Sequence, residues 1–325
     1  MKMKDRNGYI SADASKGIVQ ISSQSLKQRM LRRWQLYLML LIPLLFTFIF
    51  AYIPMGGLII AFKKYNFRDG IFGSAWVGLD NFTKFFKSAY FARTLRNTLT
   101  LSIYGLLTFP IPILFALFLN ALPGRKYKKI IQTVTYLPHF ISTVVIVGLI
   151  FQLLNYRSGI YGAIYTMLTG TTAPDILAKG RLFKHIYVWS GVWQNAGYSS
   201  IIYIAALAGI DPTLYEAATI DGATRFQRLR YIDIPGIMPT ISIMLILAVG
   251  HIMSIGFEKA YLMQNNLNIA YSEIISTYVY KVGLASGITD FSYATAIGMF
   301  NSVINFALLI LANTISKKLS GSGIF

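Results

Sequence analysis

Residues 211–235 read DPTLYEAATIDGATRFQRLRYIDIP and stand between two long apolar runs. The stretch is polar and basic, and a chain that only crosses lipid has no need of it. A connection of about 25 residues that is neither a tight turn nor a disordered linker usually has a function. Its pattern is therefore the first guide to what this chain docks against.

The connection begins with the signals of a helix start. Asp211 can cap the free N–H groups of a first turn, and Pro212 suits the first helical position. A short helix is therefore predicted over Thr213–Ile220. Ala217 and Ala218 share a face of it with little side-chain bulk, so another backbone could approach closely.

The second half of the connection predicts a turn and another short helix. Gly222 permits a sharp change of direction that a residue with a Cβ resists. A second helix is predicted over residues 223–231, and Pro235 is expected to end it before the next apolar run. A loop that only packs on its own bundle remains the alternative to a docking element.

The composition is that of a polytopic α-helical membrane protein. Hydrophobic residues make up 55% of the chain and charged residues 13%, and the mean hydropathy is +0.54. Soluble domains carry about a quarter charged residues, and a spanning helix needs about 20 apolar ones. Barrel strands would instead alternate over about ten residues. Six spans are predicted: Leu36–Phe62, Thr94–Leu122, Ile130–Leu154, Phe183–Ile210, Ile237–Phe257 and Tyr293–Ile315.

Basic residues near the ends of the spans set the expected orientation. Clusters precede the first span, fill the second and fourth connections and follow the last span: Arg29, Arg32, Arg33, Arg125, Lys126, Lys128, Lys129, Arg225, Arg228, Arg230, Lys317 and Lys318. Both termini are therefore predicted on the cytoplasmic side. Residues 1–33 are interpreted as a cytoplasmic tail without a cleaved signal peptide, and residues 34–325 as one transmembrane domain.

Several functional classes are disfavoured by the sequence. The net charge of +18 is spread over loops on both faces, which suits anionic lipid heads better than nucleic acid. The three histidines have no ligand spacing, so no metal site is expected. Without cysteine, disulfides and thiol chemistry are excluded.

Polar and aromatic residues early in the fourth span are candidates for a substrate pathway. They are Trp189, Trp193, Gln194, Asn195 and Tyr198, and His251 in the fifth span is added as an ionisable group within the membrane. Aromatic rings beside amides suit a sugar, which offers apolar C–H faces and many hydroxyls. An interfacial tryptophan belt with hydrogen bonds between helices explains the same residues equally well.

The segment from Glu216 to Pro235 resembles the EAA loop of binding-protein-dependent ABC importer permeases. The pattern is Glu-Ala-Ala, three residues, Gly, nine residues, then Ile-x-Leu-Pro. It is matched by Glu216, Ala217, Ala218, Gly222, Ile232 and Pro235, with Ile234 in place of Leu. VGLDNF at 77–82, YLPHFIS at 136–142 and FSYATA at 291–296 are similar to the sugar-importing branch, and most to the LplB-type polysaccharide permeases, relatives of the maltose permease pair. The resemblance extends from about Leu36 to the C-terminus.

The resemblance implies a six-helix type I importer permease fold in a bacterial plasma membrane. It implies four protein partners: a second, similar permease, two ATPase subunits and an external solute-binding protein. Glu216, Ala217, Ala218, Gly222, Ile234 and Pro235 would contact the ATPase. The chain has no phosphate-binding loop ending in Gly-Lys-Ser/Thr, so it needs no cofactor of its own, and ATP and Mg²⁺ would be bound by the ATPase.

The cargo is expected to be an oligosaccharide. Six basic residues predicted on the outer side raise the hypothesis that it is acidic, for example a uronate oligosaccharide: Lys63, Lys64, Arg157, Lys179, Arg181 and Lys184. An amino-acid or oligopeptide permease is the runner-up, followed by an ion channel or a membrane scaffold. An intramembrane protease is disfavoured, because the spans contain no aspartate pair, His-Glu-x-x-His helix or serine elbow.

Overall fold

A computed structural model describes residues 3–5, 8–12, 19–21, 33–285, 287 and 289–320. The chain divides into two compact units, residues 1–59 and 60–325. Within the predicted tail, three short strands form an antiparallel sheet in chain order, and the other residues before 33 lie outside the described part. The strands are β1 Met3–Asp5, β2 Gly8–Ala12 and β3 Val19–Ile21.

The first apolar run is helical from Trp34 to Phe62. Helix α1 is followed by a π-helical turn, a short α2 and a 3-10 helix: Trp34–Thr47, Phe48–Tyr52, Ile53–Met55 and Gly56–Phe62. Pro43 lies inside α1, and the Thr47 hydroxyl donates to the Pro43 carbonyl at 2.8 Å. Apolar side chains point outward all round this helix, as lipid contact favours.

The second unit continues with helices and one two-stranded antiparallel ribbon of β4 and β5. The strands are β4 Lys63–Lys64 and β5 Ala75–Trp76. The helices are α3 Gly70–Gly73, α4 Asp80–Lys87, α5 Ala89–Leu107, α6 Pro110–Ala121, α7 Arg125–Tyr136, α8 Thr143–Leu153, α9 Ile160–Thr169, α10 Gly180–Ser199, α11 Ile201–Ala208, α12 Pro212–Ile220, α13 Arg225–Arg228, α14 Ile234–Gly250, α15 Phe257–Met263, α16 Ile269–Ser272, α17 Ile275–Tyr280 and α18 Phe291–Ser320.

Four helical segments of the described chain are long and apolar enough to cross a membrane, and there are six if each of two bent pairs is one span. The four are Trp34–Phe62, Ala89–Ala121, Arg225–Gly250 and Phe291–Lys318. The bent pairs are Arg125–Phe140 with Thr143–Leu153, and Gly180–Ala208 with Pro212–Ile220. The predicted all-α class with six apolar runs is confirmed, and strands are confined to short segments.

The predicted third span, Ile130–Leu154, is not one straight helix. Helix α7 passes into a 3-10 turn at Leu137–Phe140, and α8 leaves it at an angle of 99°. Pro138 lacks an N–H group and cannot continue α-helical bonding. Ser142 then starts a new helix, because its side chain accepts a hydrogen bond from the N–H of Val145.

The prediction that Pro235 ends the second short helix is wrong. Arg225–Gly250 form one continuous helical segment, in which α13 joins α14 through a π-helical turn at Leu229–Asp233. The wider turn changes the hydrogen-bond register directly before Pro235, which then occupies the first turn of α14. A proline in a first turn loses no helical hydrogen bond, so the helix continues.

The helices of the second unit pack around three apolar clusters. Helix α14 lies along α18, and α10 contacts α5, α6 and α7. One close approach depends on Gly197 of α10, where a Cβ would lie 2.3 Å from the carbonyl oxygen of Thr135 in α7. The glycine therefore lets the third and fourth spans meet backbone to backbone.

The segment between α14 and α18 folds back over the middle of α5 and the start of α10. The Asn97 amide of α5 donates to the carbonyls of Ala270 and Glu273, both at 3.0 Å. The Thr98 hydroxyl accepts a hydrogen bond from the N–H of Ile275 at 3.0 Å. These bonds fix α16 and α17 on this end of the bundle, and the 211–235 loop lies beyond the far end of α6.

Candidate functional site

The loop between the fourth and fifth spans forms the predicted helix–turn–helix. Asp211 caps α12, because its carboxylate accepts a hydrogen bond from the Thr213 N–H at 2.9 Å. This bond lowers the pKa of Asp211 below its usual value. Thr224 and Gln227 form a capping box that starts α13.

Gly222 makes the turn between the two helices in a left-handed conformation, with φ +72°. The Ala223 N–H donates to the Ala218 carbonyl at 2.8 Å, and the Gly222 N–H donates to the Thr219 carbonyl at 3.1 Å. This pair of bonds is the Schellman ending of a helix, in which glycine is preferred because it has no Cβ. The predicted role of Gly222 in the turn is confirmed.

The loop presents an exposed surface that mixes charge with large apolar groups. Glu216 and Ala217 are exposed, Ala218 and Ile234 are partly exposed, and Pro235 is exposed. Four apolar side chains that the motif did not single out are also exposed, with Ile220 at 87% and Phe226 at 68%: Leu214, Ile220, Phe226 and Tyr231. An exposed apolar patch with a polar rim is typical of a protein-docking surface.

The loop is tied to the bundle by a buried carboxylate. Tyr215 of α12 donates to Asp233, with 2.5 Å between Oη and Oδ1, and Asp233 is only 7% exposed. The side chain of Asn120 at the end of α6 also bonds Tyr215. Across the turn, Arg228 reaches the Thr219 hydroxyl at 3.5 Å. Helix α12 is therefore held against the end of the second span and the start of the fifth span.

A cavity of about 680 Å³ opens between α5, α10 and α14. The predicted pathway residues Gln194, Asn195 and His251 line it, together with Tyr187 and Lys259. The Gln194 amide donates to the Ile141 carbonyl at 3.3 Å, at the bend of the third span. The Gln194 side chain is thus held by a carbonyl group at the helix break that Pro138 produces.

Asn195 and Tyr198 both contact His139, which was not among the predicted pathway residues. His139 Nδ1 lies 2.9 Å from the Asn195 side-chain oxygen, so this nitrogen carries the hydrogen. The His139 ring stacks on Tyr198, with 3.8 Å between centroids and 6° between planes. The structure thus brings Asn195 and Tyr198 together through His139.

The two tryptophans lie apart from this group. Trp189 and Trp193 are exposed and are not among the described residues that line the cavity. Trp189 Nε1 donates to the Tyr104 hydroxyl at 2.8 Å, and Tyr104 lies 3.0 Å from His185 Nδ1. The aromatic face of α10 is therefore separate from its amide face.

Lys259 is a cavity residue whose position only the tertiary structure reveals. It is 8% exposed, its ammonium donates to the Tyr187 carbonyl at 3.0 Å, and it lies 5.1 Å from the centre of the Tyr187 ring. No carboxylate of the described residues lies within 4 Å of it. Burial lowers the pKa of Lys259 to about 8, since desolvation disfavours the charged form.

The described residues hold no group of three or more His, Cys, Asp or Glu that could bind a metal ion. The residues lining the cavity are amides, hydroxyls, aromatic rings, one histidine and one lysine, with apolar residues between them. Such a lining can bind and orient a polar solute.

The spans, the helix–turn–helix at residues 211–235 and the polar cavity define a multi-pass permease with the type I ABC importer fold. The helix–turn–helix is called the docking loop below, after the role proposed for it. Residues 109–321 match the family described as the binding-protein-dependent transport system inner membrane component, and the chain belongs to this family. It is accordingly a multi-pass inner-membrane protein. Two of its relatives are named as transport system permease proteins.

Two relatives from Bacillus subtilis (strain 168) align over nearly the whole chain. Protein LplB is 42% identical over 90% of this chain and 91% of its own length. The polygalacturonan/rhamnogalacturonan transport system permease protein YteP is 40% identical over 91% of this chain and 92% of its own length. The resemblance to the sugar branch of the family is thus confirmed.

The fold is similar to that of a chain in a solved bacterial ABC transporter that imports the acidic polysaccharide alginate. The TM-score is 0.83 at 38% identity, and the match covers 91% of this chain and all of that one. A second structure, of an alginate transporter in complex with a periplasmic protein that holds an alginate pentasaccharide, matches 93% of this chain with the same TM-score and identity.

Proposed function

We propose that this chain is one of two permease subunits of an ATP-driven importer for an acidic oligosaccharide. The observation that carries the proposal is the cavity between α5, α10 and α14. Its lining includes the buried ammonium of Lys259 and no aspartate or glutamate among the described residues. A cationic site without an acidic partner favours an anionic solute, because the solute can supply the missing negative charge.

The rest of the lining suits a sugar. The Gln194 and Asn195 amides and the Ser102 and Tyr203 hydroxyls can exchange hydrogen bonds with sugar hydroxyls, and apolar residues lie between them. The likeness to YteP and to the alginate importer supports a uronate-containing cargo. Trp189, Trp193 and Tyr198 are proposed to border the pathway outside this cavity, in the space shared with the second permease.

The runner-up function, import of amino acids or oligopeptides, fits the cavity less well. Such solutes carry an ammonium group as well as a carboxylate, and a buried ammonium needs an anionic partner. The described lining offers Lys259 and His251 but no carboxylate. An ion channel or a scaffold would leave the docking loop unexplained.

The loop at residues 211–235 is proposed to couple this cavity to a separate ATPase. Glu216 would make the polar contact, Ala217, Ala218 and Gly222 would allow close approach, and Ile234 with Pro235 would join the contact to the fifth span. The exposed apolar side chains around Glu216 add area for such a contact. ATP and Mg²⁺ would be bound by the ATPase, and the chain itself would need no cofactor.

Coupling requires that ATP and the loaded solute-binding protein each favour one arrangement of the permease over the other. The bond between Tyr215 and Asp233 supports this role, since displacement of α12 would be passed to the fifth span. We propose that residues 34–325 form the permease domain and residues 1–33 a cytoplasmic tail. The complete importer would contain this chain, a second permease, two ATPase subunits and an external solute-binding protein.

The experiment that tests the proposal is uptake by the reconstituted importer. The complex is purified through this chain in mild detergent, its partners are identified by mass spectrometry, and it is placed in lipid vesicles. We expect uptake of a galacturonate oligosaccharide that requires ATP. Uptake of amino acids or peptides without any uptake of sugar would replace the proposed function by its alternative.

A further inference from the structure

A second pocket, of about 480 Å³, lies where the middle of α5 and the start of α10 meet α16. It belongs to the end of the bundle opposite the docking loop, which is the external end in the predicted orientation. Its lining includes Arg96, Asn97 and Thr100 from α5, Arg181, Lys184 and His185 from α10, and Tyr271 from α16. This group of residues is called the outer pocket below.

The outer pocket concentrates positive charge without compensation. Arg96, Arg181 and Lys184 line it, and none of the described carboxylates lies within 4 Å of any of them. Two further cations of the second unit are paired with carboxylates, since Arg93 bonds Glu273 and Lys84 lies 2.9 Å from Asp290. Arg96, Arg181 and Lys184 have no such carboxylate of the described chain beside them, so their charge is available to an anion from solution.

The position of two of these cations on their helix is unfavourable in the absence of an anion. Helix α10 begins at Gly180, and its first turn contains Arg181 and no acidic residue. The start of a helix carries a partial positive charge and is stabilised by anions. Arg181 and Lys184 thus add positive charge where the helix itself favours a negative one.

His185 adds a hydrogen-bond donor to the same pocket. The Tyr104 hydroxyl accepts a hydrogen from Trp189 Nε1, so its own hydrogen is available for His185 Nδ1, 3.0 Å away. In a neutral imidazole the other nitrogen, Nε2, then carries the N–H. With Nδ1 as the acceptor, His185 can donate from Nε2 to a bound anion.

The walls of the outer pocket are held in place. Asn97 is buried and bonds the backbone on both sides of Tyr271. The Tyr271 ring lies against the start of α10, where a Cβ on Gly180 would come within 2.4 Å of it. An aromatic ring beside guanidinium groups offers a face for a sugar ring next to partners for its carboxylate.

The outer pocket adjoins the larger cavity, because Leu101 lines both. Uncompensated cations, the imidazole of His185 and an aromatic wall held by hydrogen bonds occur together at the external end of the solute path. We propose that the outer pocket binds the carboxylate groups of an acidic oligosaccharide before the sugar enters the cavity. This inference rests on the proposed function, since it assigns a step of the same transport.

Protection of a lysine from chemical modification tests the site directly. The importer complex in lipid nanodiscs, without its solute-binding protein, is treated with an amine-reactive reagent, and labelling of Lys184 and Lys179 is followed by mass spectrometry. Lys179 is exposed, stands five residues earlier and is not a lining residue, so it serves as an internal control. Trigalacturonate should slow the labelling of Lys184 about fivefold and leave Lys179 unchanged, as expected for charge-assisted contacts.

Two variants and a neutral sugar complete the test. Arg181→Gln and Arg96→Gln should each remove most of the protection, Lys179→Gln should keep it, and galactotriose should give none. Equal protection by galactotriose, or unchanged protection in both arginine variants, overturns the carboxylate site. The stability of each variant is checked by its elution as an intact complex.

Transport distinguishes this inference from the proposed function. With loaded solute-binding protein, Arg181→Gln should raise the KM for trigalacturonate about fivefold and leave the maximal rate unchanged. The empty binding protein should stimulate ATP hydrolysis equally in Arg181→Gln and in the unaltered importer. If this stimulation is also lost in Arg181→Gln, the pocket contacts the binding protein, and the proposed cargo site is wrong. If the unaltered importer takes up no sugar, the proposed function itself is wrong, whatever the variants do.

Discussion

Tyr215 and Asp233 join the docking helix to the start of the fifth span through one hydrogen bond of 2.5 Å. The two residues are 18 positions apart, and all of the exposed turn lies between them. Asp233 is buried, so the bond also satisfies a carboxylate that would be costly without a partner. The mobility of the loop as a separate element is thereby restricted.

Tyr215→Phe is expected to lower the free energy of unfolding by about 1–3 kcal/mol, because it leaves a buried acceptor unsatisfied. The rate of uptake should fall strongly even where the protein remains folded, since α12 loses its hydrogen bond to the fifth span. Thermal unfolding of the purified chain and uptake in vesicles measure the two effects. Tyr231→Phe is the matched control, because the Tyr231 ring is exposed. A Tyr215→Phe protein with full uptake would show that the bond plays no part in coupling.

Gly222→Ala is expected to destabilise the loop by about 1–2 kcal/mol, since an L-residue is disfavoured at φ +72°. No heavy atom lies within 4 Å of the added Cβ, so the effect would come from the backbone alone.

Glu216→Lys and Gly222→Trp should abolish uptake and leave membrane insertion intact. Gly209→Ala, at φ −86°, is the control and should be silent. Normal uptake in Glu216→Lys would remove this residue from the ATPase contact.

Lys259→Met is expected to lower the uptake of an acidic sugar about tenfold and to change the uptake of a neutral one little. Lys259→Arg keeps the charge and is the control. Because the pKa of Lys259 is about 8, its charge is largely lost by pH 9, and transport of the acidic sugar should fall between pH 7 and 9. In Lys259→Arg the fall should be absent, and a fall of the same size there would assign the pH effect to another group.

The same pKa predicts the opposite trend for stability. The folded pKa of about 8 lies below the ordinary value of 10.5, so the unfolded chain binds the proton more tightly. Stability should therefore rise with pH between about 8 and 10.5, as the folded protein no longer has to hold a buried charge. Unfolding measured across this range, against Lys259→Met as a reference, checks the sign.

Glu273 is 1% exposed and is bonded by Arg93, with Lys281 at 3.7 Å from its other oxygen. Arg93→Met should lower the free energy of unfolding by about 3–5 kcal/mol, because it leaves a buried carboxylate poorly paired. The double variant Arg93→Met, Glu273→Met should recover much of this loss, which a double-mutant cycle would measure. A double variant as unstable as the sum of both single ones would contradict the pairing.

The parts of the fold that follow from local chemistry could be predicted from the sequence. The lengths of the apolar runs predict the spans. Asp211, Pro212 and Gly222 predict the docking helix and its turn, since helix caps and glycine conformations depend on neighbouring residues in the chain. Continuation of the helix through Pro235 could not be predicted, because it depends on a π-helical turn that shifts the register just before the proline. The break of the third span had a local signal in Pro138, but its angle depends on tertiary packing.

The candidate site was predictable in composition and not in arrangement. Gln194 and Asn195 do line the cavity, but helical spacing could not show that the exposed tryptophans lie outside it. Lys259 lacks a described acidic partner, and this becomes visible only when distant helices are placed together. Arg96 and Arg181 are 85 positions apart in sequence, so only the fold assembles the outer pocket.

The unbroken helical segment from Arg225 to Gly250 has a mechanical consequence. Its 26 residues extend about 39 Å, from the exposed turn of the loop to Leu247 and Ala248 in the cavity wall. A rigid helix of that length converts a small rotation into a large displacement. A tilt of about 10° about one end moves the other end by about 7 Å. A small rotation imposed on the docking surface would then suffice to open or close the solute path several helical turns away.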